Sequence, residues 1–442
     1  MSLDSVFSNI KDSVSGKKVS FKRYIFNFFN SIMIKNGIYI FLSIFISSPL
    51  DFIFWLLAAR YYLPEVVGTN MSVIGLITLV SLLSRFGLEN GLKRFIPKES
   101  DKGATNLINF SIIVLTFISI PFFIISILSI LFLIRDYPQW IYSIQTINFL
   151  FLLFISINIG NLFDSILISR SRSKYTVWRS ILVGISKISF LPLCFKLGNI
   201  GILVCYSVPV LIISLLMNLI FIKKVIPNYK FVITFKLKNN EMLVYSFKHW
   251  IYQISAYLND KILPTIVLLR ISEEYAAYFS IGYMIVLISY FLPKAISSSF
   301  LVEVVRNPSS IKQNFFMATL FNWIILGFVL VLFSVFGKLF LGFFGTNYKI
   351  VYLFTVIGLL SSFPYAFNEM YFNYCKIKNK LKIVIFLNTL YTIFVLIGSA
   401  ILSPIYGLEA ISLLMLVGNI MVSVSIFFLV RKEISLLLLK NS

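Results

Sequence analysis

Asp51, Asp164, Lys187, Asp260, Lys261, Lys294 and Glu369 stand inside long apolar runs, and Arg85 closes another run beside Glu89. A charge surrounded by hydrocarbon is costly, and it is kept where it binds an ion, a substrate or another charge. The chemistry on offer is recognition rather than bond breaking. Lysine and arginine suit an anion, and aspartate and glutamate suit a proton or a metal cation. Lysine gives a looser, more releasable contact than a bidentate arginine. The acids recur in register: Asp51 lies nine residues before Arg60 and Asp260 ten before Arg270, while Asp164 lies six before Arg170 and Glu369 seven before Lys376. Between Lys248 and Asp260, the residues Lys248, His249, Tyr252, Gln253, Ser255, Ala256 and Asn259 follow a spacing of three to four. That spacing draws a polar stripe down one helix face, which predicts a water-filled cavity beside it. Ser43, Ser47 and Asp51 form a weaker stripe, expected to look across the same cleft, and Pro49 and Pro264 are expected to bend the two helices.

The elements that must hold these residues are membrane spans. The 442-residue chain is 59% hydrophobic and 13% charged, against roughly half and a quarter for a soluble domain. About twelve apolar runs reach the roughly 20 residues that a spanning helix needs. They lie near residues 37–59, 69–88, 108–134, 143–168, 176–195, 200–222, 243–269, 276–300, 316–336, 350–374, 383–403 and 407–430. Strand alternation is absent, so the spans are helices. The N-terminal segment has no cleavable signal pattern.

Net charge is +22, and its placement assigns it to topology. Lys/Arg clusters occupy the N-terminal segment, the loops around Lys93, Arg170 and Lys376, the stretch 223–242 and the tail at Arg431, all on one side of the twelve spans. The opposite loops carry mainly single cations, such as Arg60, Lys196 and Arg270. The positive-inside rule puts both termini in the cytoplasm, with the remaining excess facing anionic lipid rather than nucleic acid. Cys194, Cys205 and Cys375 fall in or beside spans with no metal or disulfide spacing, and the chain has a single histidine. No nucleotide-binding loop is present, so ATP is not the direct energy source.

The chain is written twice. Arg170, Arg172 and Lys174 match Lys376, Lys378 and Lys380 at an offset of 206, and Gly201 matches Gly407 at the same offset. "RYYLPEVVG" from Arg60 is echoed by "RISEEYAAY" from Arg270. An even number of spans per repeat makes the halves parallel, related by an axis along the membrane normal. The expected layout is a cytoplasmic segment 1–35, an N-lobe 36–222, a basic cytoplasmic linker 223–242, a C-lobe 243–430 and a cytoplasmic tail 431–442. Within the first turn, Pro64 and Glu65 read as a helix start and Gly68 as a close helix contact, with no chemical role for Glu65.

"LLAARYYLPEVVGTNMSVIGLITLVSLLSRFGLENGLKRFIPKE", Leu56 to Glu99, resembles the polysaccharide-transporter family, the O-antigen-type flippases. The matching signature is an Arg-x-Leu-x-Pro-like first loop, then Gly87-Leu88 with Gly91, Arg94 and Phe95, although Tyr62 and Leu63 depart from the tighter leucine register of many relatives. "YAAYFSIGYMI" and "FGTNY" resemble the family's turns after span seven and before span ten. The family lies in a superfamily with multidrug extruders. The resemblance implies an all-α membrane protein of two six-helix lobes around a central cleft. It implies ion-coupled, alternating-access translocation of a lipid-linked oligosaccharide, carried on a polyprenyl phosphate or pyrophosphate, across the cytoplasmic membrane. On that reading Arg85, Lys187, Lys261 and Lys294 would hold the phosphate, and Tyr252, Gln253 and Asn259 would meet sugar hydroxyls. Asp51, Asp164, Asp260 and Glu369 would carry a coupling proton or sodium. The expected partners are the lipid-linked oligosaccharide, membrane lipids and the coupling ion, with glycan polymerase machinery as an open further partner. Neither a cofactor nor enzymatic activity is implied. Three alternatives stand beside this. A multidrug or organic-cation antiporter would favour an anionic cavity. A membrane glycan polymerase or transferase would need a large catalytic loop. A non-transporting scaffold would not need mirrored acids.

Overall fold

The computed structural model describes residues 32–133, 139–227, 229–233, 240–306, 311–377 and 380–439. These residues are helical almost throughout, as backbone in lipid must be to satisfy its own hydrogen bonds. In chain order the helices are α1 (Ile32–Tyr61), α2 (Pro64–Ser84), the short α3 (Leu88–Phe95), α4 (Asp101–Leu133), α5 (Ile144–Ser169), α6 (Lys174–Cys194) and α7 (Gly201–Val225). They continue as α8 (Glu241–Arg270), α9 (Glu273–Arg306), α10 (Ile311–Gly342), α11 (Tyr352–Ile377) and α12 (Leu381–Leu439). Eight helical stretches are long and apolar enough to cross a membrane. Two of them are divided by glycine kinks at Gly198 and Gly407, and α1 and α8 have the same reach at 30 residues each. By length, the described residues thus offer twelve helical segments, in line with the twelve apolar runs of the sequence.

The kinks carry the signature of the repeat. Gly198 has φ 59 and ψ −135, and Gly407 has φ 71 and ψ −159, a region open essentially to glycine alone. The backbone equivalent of Gly407 is therefore Gly198, three residues before the Gly201 expected from the sequence offset. Gly201 instead opens α7. Packing repeats in the same way. The first helix of each half lies on the fifth, α1 on α6 and α8 on the first limb of α12, while α5 packs on α7 as α11 packs on α12. The second span of each half, α2 and α9, meet each other at the centre. Those are the contacts that a two-fold axis along the membrane normal generates.

The expected turn is present. Pro64 opens α2 with Glu65 in its first turn, after an extended Leu63 that gives no side-chain cap. Gly68 then lets α2 touch α9: a Cβ there would lie 2.0 Å from the Glu273 carbonyl oxygen and 2.6 Å from the Ala277 nitrogen. Further along α2, a Cβ on Gly75 would lie 3.2 Å from the Lys261 carbonyl oxygen of α8. Glycine is thus the device that brings the two lobes into backbone contact. Gly68→Val should lower the melting temperature of the detergent-purified protein, in line with an overpacking cost of about 1–3 kcal/mol, whereas Gly75→Ala should lower it less. Thermal unfolding followed by tryptophan fluorescence checks both.

Candidate functional site

The lobes are clamped at the end of the bundle opposite the chain termini. Arg60, in the last turn of α1, donates from Nε to the Phe343 carbonyl at 2.5 Å and from Nη2 to the Gly342 carbonyl at 3.5 Å. Those carbonyls lie at the C-terminal end of α10, where a helix leaves its acceptors unsatisfied and its dipole favours a cation. Phe52 packs beneath, 5.6 Å from Phe340 and 5.2 Å from Phe344 between ring centroids. Thr69 donates to Glu273 at 3.4 Å. Toward the termini the two seams differ. Span 2 and α8 stay joined: Trp250 stacks on Phe86 at 4.6 Å and donates to the Leu83 carbonyl at 3.1 Å, and Arg94 lies 4.2 Å over the Tyr245 ring. Along the other seam, α1 and α9 make no comparable contact among the described residues. The lobes are thus held to each other by the clamp at one end and by the seam of α2 with α8 and α9.

The N-lobe neutralises its own charges. Lys187 of α6 pairs with Asp51 of α1, and its ammonium sits 4.1 Å over the Tyr206 ring. The lysine side chain is 5% exposed and the aspartate 39% exposed, so the acid faces outward with the cation behind it. Gly184 allows this, because α6 runs so close to α1 that a Cβ there would lie 2.5 Å from Leu50. Asp164 of α5 is held by Arg179 of α6, with Nε to Oδ1 at 2.8 Å. Arg85 is buried between α2 and α5; it donates to Ser81 at 2.6 Å and to Asn158 at 3.4 Å, and pairs with Glu89 at 3.5 Å. Lys187 and Arg85, expected to line the cavity as anion-binding cations, are therefore packed inside the N-lobe on local acids and amides. In a low dielectric a buried cation is stable only beside such partners.

The C-lobe uses hydroxyls and aromatic rings instead. Asp260 of α8 accepts from the Tyr283 hydroxyl of α9 at 2.7 Å, and no cation lies within ion-pair distance of it among the described residues. Behind it, Tyr290 hydrogen-bonds Ser361 at 2.6 Å and stacks on Tyr365 at 4.1 Å. Asn419 donates to the hydroxyls of Tyr290 and Tyr391 at 3.4 and 3.5 Å. Glu369 of α11 accepts from Tyr365 at 3.4 Å and from Asn373 at 3.5 Å. Lys294 of α9 is half-buried between three rings, its ammonium 5.8 Å from the centroid of Tyr257 and 5.9 Å from those of Phe291 and Tyr365. Such spacings lie at the outer limit of cation–π attraction.

The expected stripe on α8 does not form one wet face. Asn259 is buried at 7% exposure, Asp260 turns to α9, and Tyr252 packs beside the α11–α12 cluster. Polar side chains in lipid find partners inside the protein as readily as in a cavity. Gln253 and Lys261 are half-buried. Nor do α1 and α8 make a close contact among the described residues. The site reading of the sequence missed Arg179, which lies within the expected span 176–195 but was not singled out among the charges of that span. It also missed the tyrosines of the C-lobe, since tyrosine spacing in an apolar run does not distinguish a packed ring from a bonded hydroxyl.

Two pseudo-symmetric lobes of six spans about a cleft closed at one end define a membrane transporter or flippase fold of the multi-pass kind. Residues 33–300 match the polysaccharide biosynthesis protein family, and the chain belongs to that family. Among solved structures it is similar to an inward-facing multidrug resistance MATE family transporter of the MOP superfamily, at 16% identity and TM-score 0.71, covering 90% of this chain and 96% of that one. It is similar to the lipid II flippase MurJ in an inward closed conformation, at 15% identity and TM-score 0.74 over 88% and 86% of the two chains. It is also similar to an outward-facing MATE family transporter, at 17% identity and TM-score 0.61 over 93% and 97% of the two chains. No curated protein sequence matches the chain significantly.

Two outcomes follow from this geometry. Asp51→Asn leaves Lys187 buried beside a neutral amide and should destabilise the protein by about 3 kcal/mol, the scale for breaking a buried pair. The double variant Asp51→Asn, Lys187→Met should recover most of that loss in the same melting assay. Arg60→Ala should loosen the clamped end. A cysteine replacing Phe52 should then react several-fold faster with a water-soluble maleimide added from the side of the clamp.

Proposed function

We propose that this chain flips a lipid-linked oligosaccharide, carried on a polyprenyl phosphate or pyrophosphate, across the cytoplasmic membrane during surface polysaccharide assembly. The observation that carries the reading is two six-span lobes clamped together at Arg60, with the C-lobe charges Asp260, Lys261 and Lys294 half-buried between helices. A cleft between such lobes would take the polar headgroup while the long isoprenoid tail stays in the bilayer. Family membership supports the glycan as cargo.

On this reading the lobes divide the work. The C-lobe meets the cargo: Lys294 attracts the phosphate, and the exposed rings of Tyr257 and Phe291 offer faces on which sugar rings stack. Lys261, half-buried on α8, is the second candidate cation. The N-lobe cations are committed to Asp51 and Asp164, so these acids are poorer carriers of a coupling ion than Asp260. Asp260, whose described partner is a neutral tyrosine hydroxyl, takes up and releases the coupling proton or sodium, which biases the two conformations differently. Glu369 is the second C-lobe acid.

The test is the leaflet distribution of lipid-linked glycan in cells depleted of this protein and complemented with variants. Wild type should clear intact units from the cytoplasmic leaflet. Lys294→Gln should lower the flipping rate by roughly tenfold or more, the scale of one lost charge-assisted contact, with Lys294→Arg retaining part of it. Asp260→Asn should abolish dependence on the ion gradient. Units that reach the outer leaflet but stay unpolymerised would point to a polymerase. Untouched glycan with raised sensitivity to organic cations would point to an extruder.

A further inference from the structure

The chain between the two lobes does not run out into solvent after α7. Ile226 is fully buried against Leu88 and Leu92 of α3 and Ile108 of α4. Four residues on, Asn109 of α4 grips the segment with both ends of its amide. Its Nδ2 donates to the Lys230 carbonyl at 3.0 Å, and its Oδ1 accepts from the Tyr229 hydroxyl at 2.9 Å. Asn109 is itself fully buried beneath this contact. It lies eight residues into α4, about 12 Å along the axis from Asp101, where the charged first turn has given way to the apolar run. The segment is thus fastened at the depth where headgroups meet acyl chains.

Directly after the clamp come three apolar side chains in a row, Phe231, Val232 and Ile233, at 57%, 58% and 72% exposure. A run of this kind in water is unfavourable, and nothing among the described residues covers it. It continues the apolar exterior of α7, where Leu219 is 73% exposed and Ile220 50% exposed. Lys223, Lys224 and Lys230 are exposed around it. The combination of apolar insertion and flanking cations fits one partner, the anionic phospholipid of the leaflet on the side of the termini.

We infer that residues 229–233 form a strap that dips into this leaflet: Phe231, Val232 and Ile233 enter among the acyl chains, and Lys223, Lys224 and Lys230 hold anionic headgroups. The strap is locked to the N-lobe through Asn109 and Ile226 and moves with it. The inference is independent of what the protein transports.

A nitroxide on Ile233→Cys in the full chain, reconstituted in phosphatidylcholine vesicles with or without phosphatidylglycerol, tests it. The described cysteines Cys194, Cys205 and Cys375 are buried, and the unsubstituted chain measures their background. The strap predicts strong relaxation by oxygen and several-fold weaker relaxation by a water-soluble nickel chelate than at the exposed Lys102→Cys. Nickel access equal to that at Lys102→Cys overturns it. Protection from both reagents also overturns it, because protein rather than lipid then covers the segment. Val232→Cys repeats the measurement should Ile233→Cys fail to assemble. Adding phosphatidylglycerol should immerse the label further, and the Lys223, Lys224 and Lys230 to Gln triple variant should lose that response; absence of any lipid dependence removes the headgroup contacts.

Discussion

Hydrocarbon offers neither hydrogen bonds nor a counter-ion, and the charged groups within the described spans are disposed around that fact. The backbone answers it with helices. The side chains answer it in two ways. In the N-lobe, opposite charges are joined across helix pairs, Asp51 to Lys187 and Asp164 to Arg179. In the C-lobe, neutral donors take the place of cations, as Tyr283 does for Asp260. The first arrangement leaves little net charge to respond to a ligand. The second leaves a half-buried carboxylate that accepts from a tyrosine hydroxyl and has no cation within ion-pair distance among the described residues.

The same constraint shapes the contact between the lobes. A cleft that opens and closes needs seams that hold without large apolar commitment on every side. Here one seam, between α2 and the helices α8 and α9, runs backbone against backbone through Gly68, Gly75 and Gly87. Phe86 adopts a left-handed conformation, φ 47, directly before Gly87, and Trp250 covers it. A bulky residue in that region is strained, and the break it makes between α2 and α3 is fastened from the opposite lobe. On the other side of the molecule, α1 is held to the C-terminal end of α10 through Arg60.

Much of this architecture is legible in the residues alone, because membrane spans are written in composition and the repeat in the spacing of basic loops. Pro64, Glu65 and Gly68 announce their roles locally, since proline, a first-turn acid and a contact glycine act within a few residues of themselves. The sequence offset paired Gly407 with Gly201 rather than with Gly198, three residues earlier, because glycine spacing says nothing about which glycine takes positive φ. The charges were legible as a set but not as pairs. Asp51 and Lys187 are 136 residues apart in sequence, and no local pattern tells a paired lysine from one facing a cavity. The stripe on α8 has helical period, yet periodicity reports which residues share a face and not whether water or a neighbouring helix lies against it.

The Arg60 clamp has a property that its chemistry alone decides. Its acceptors are main-chain carbonyls at the end of a helix, and its donor is a guanidinium that stays protonated throughout the physiological range. Neither acceptor belongs to a side chain. Replacing Gly342 or Phe343 leaves the carbonyls in place, so tolerance to substitution is one-sided: the C-lobe half of the lock is written in backbone, and only the arginine is written in sequence. A catch of this design is released by moving one side chain, whatever the sequence of the helix end it grips.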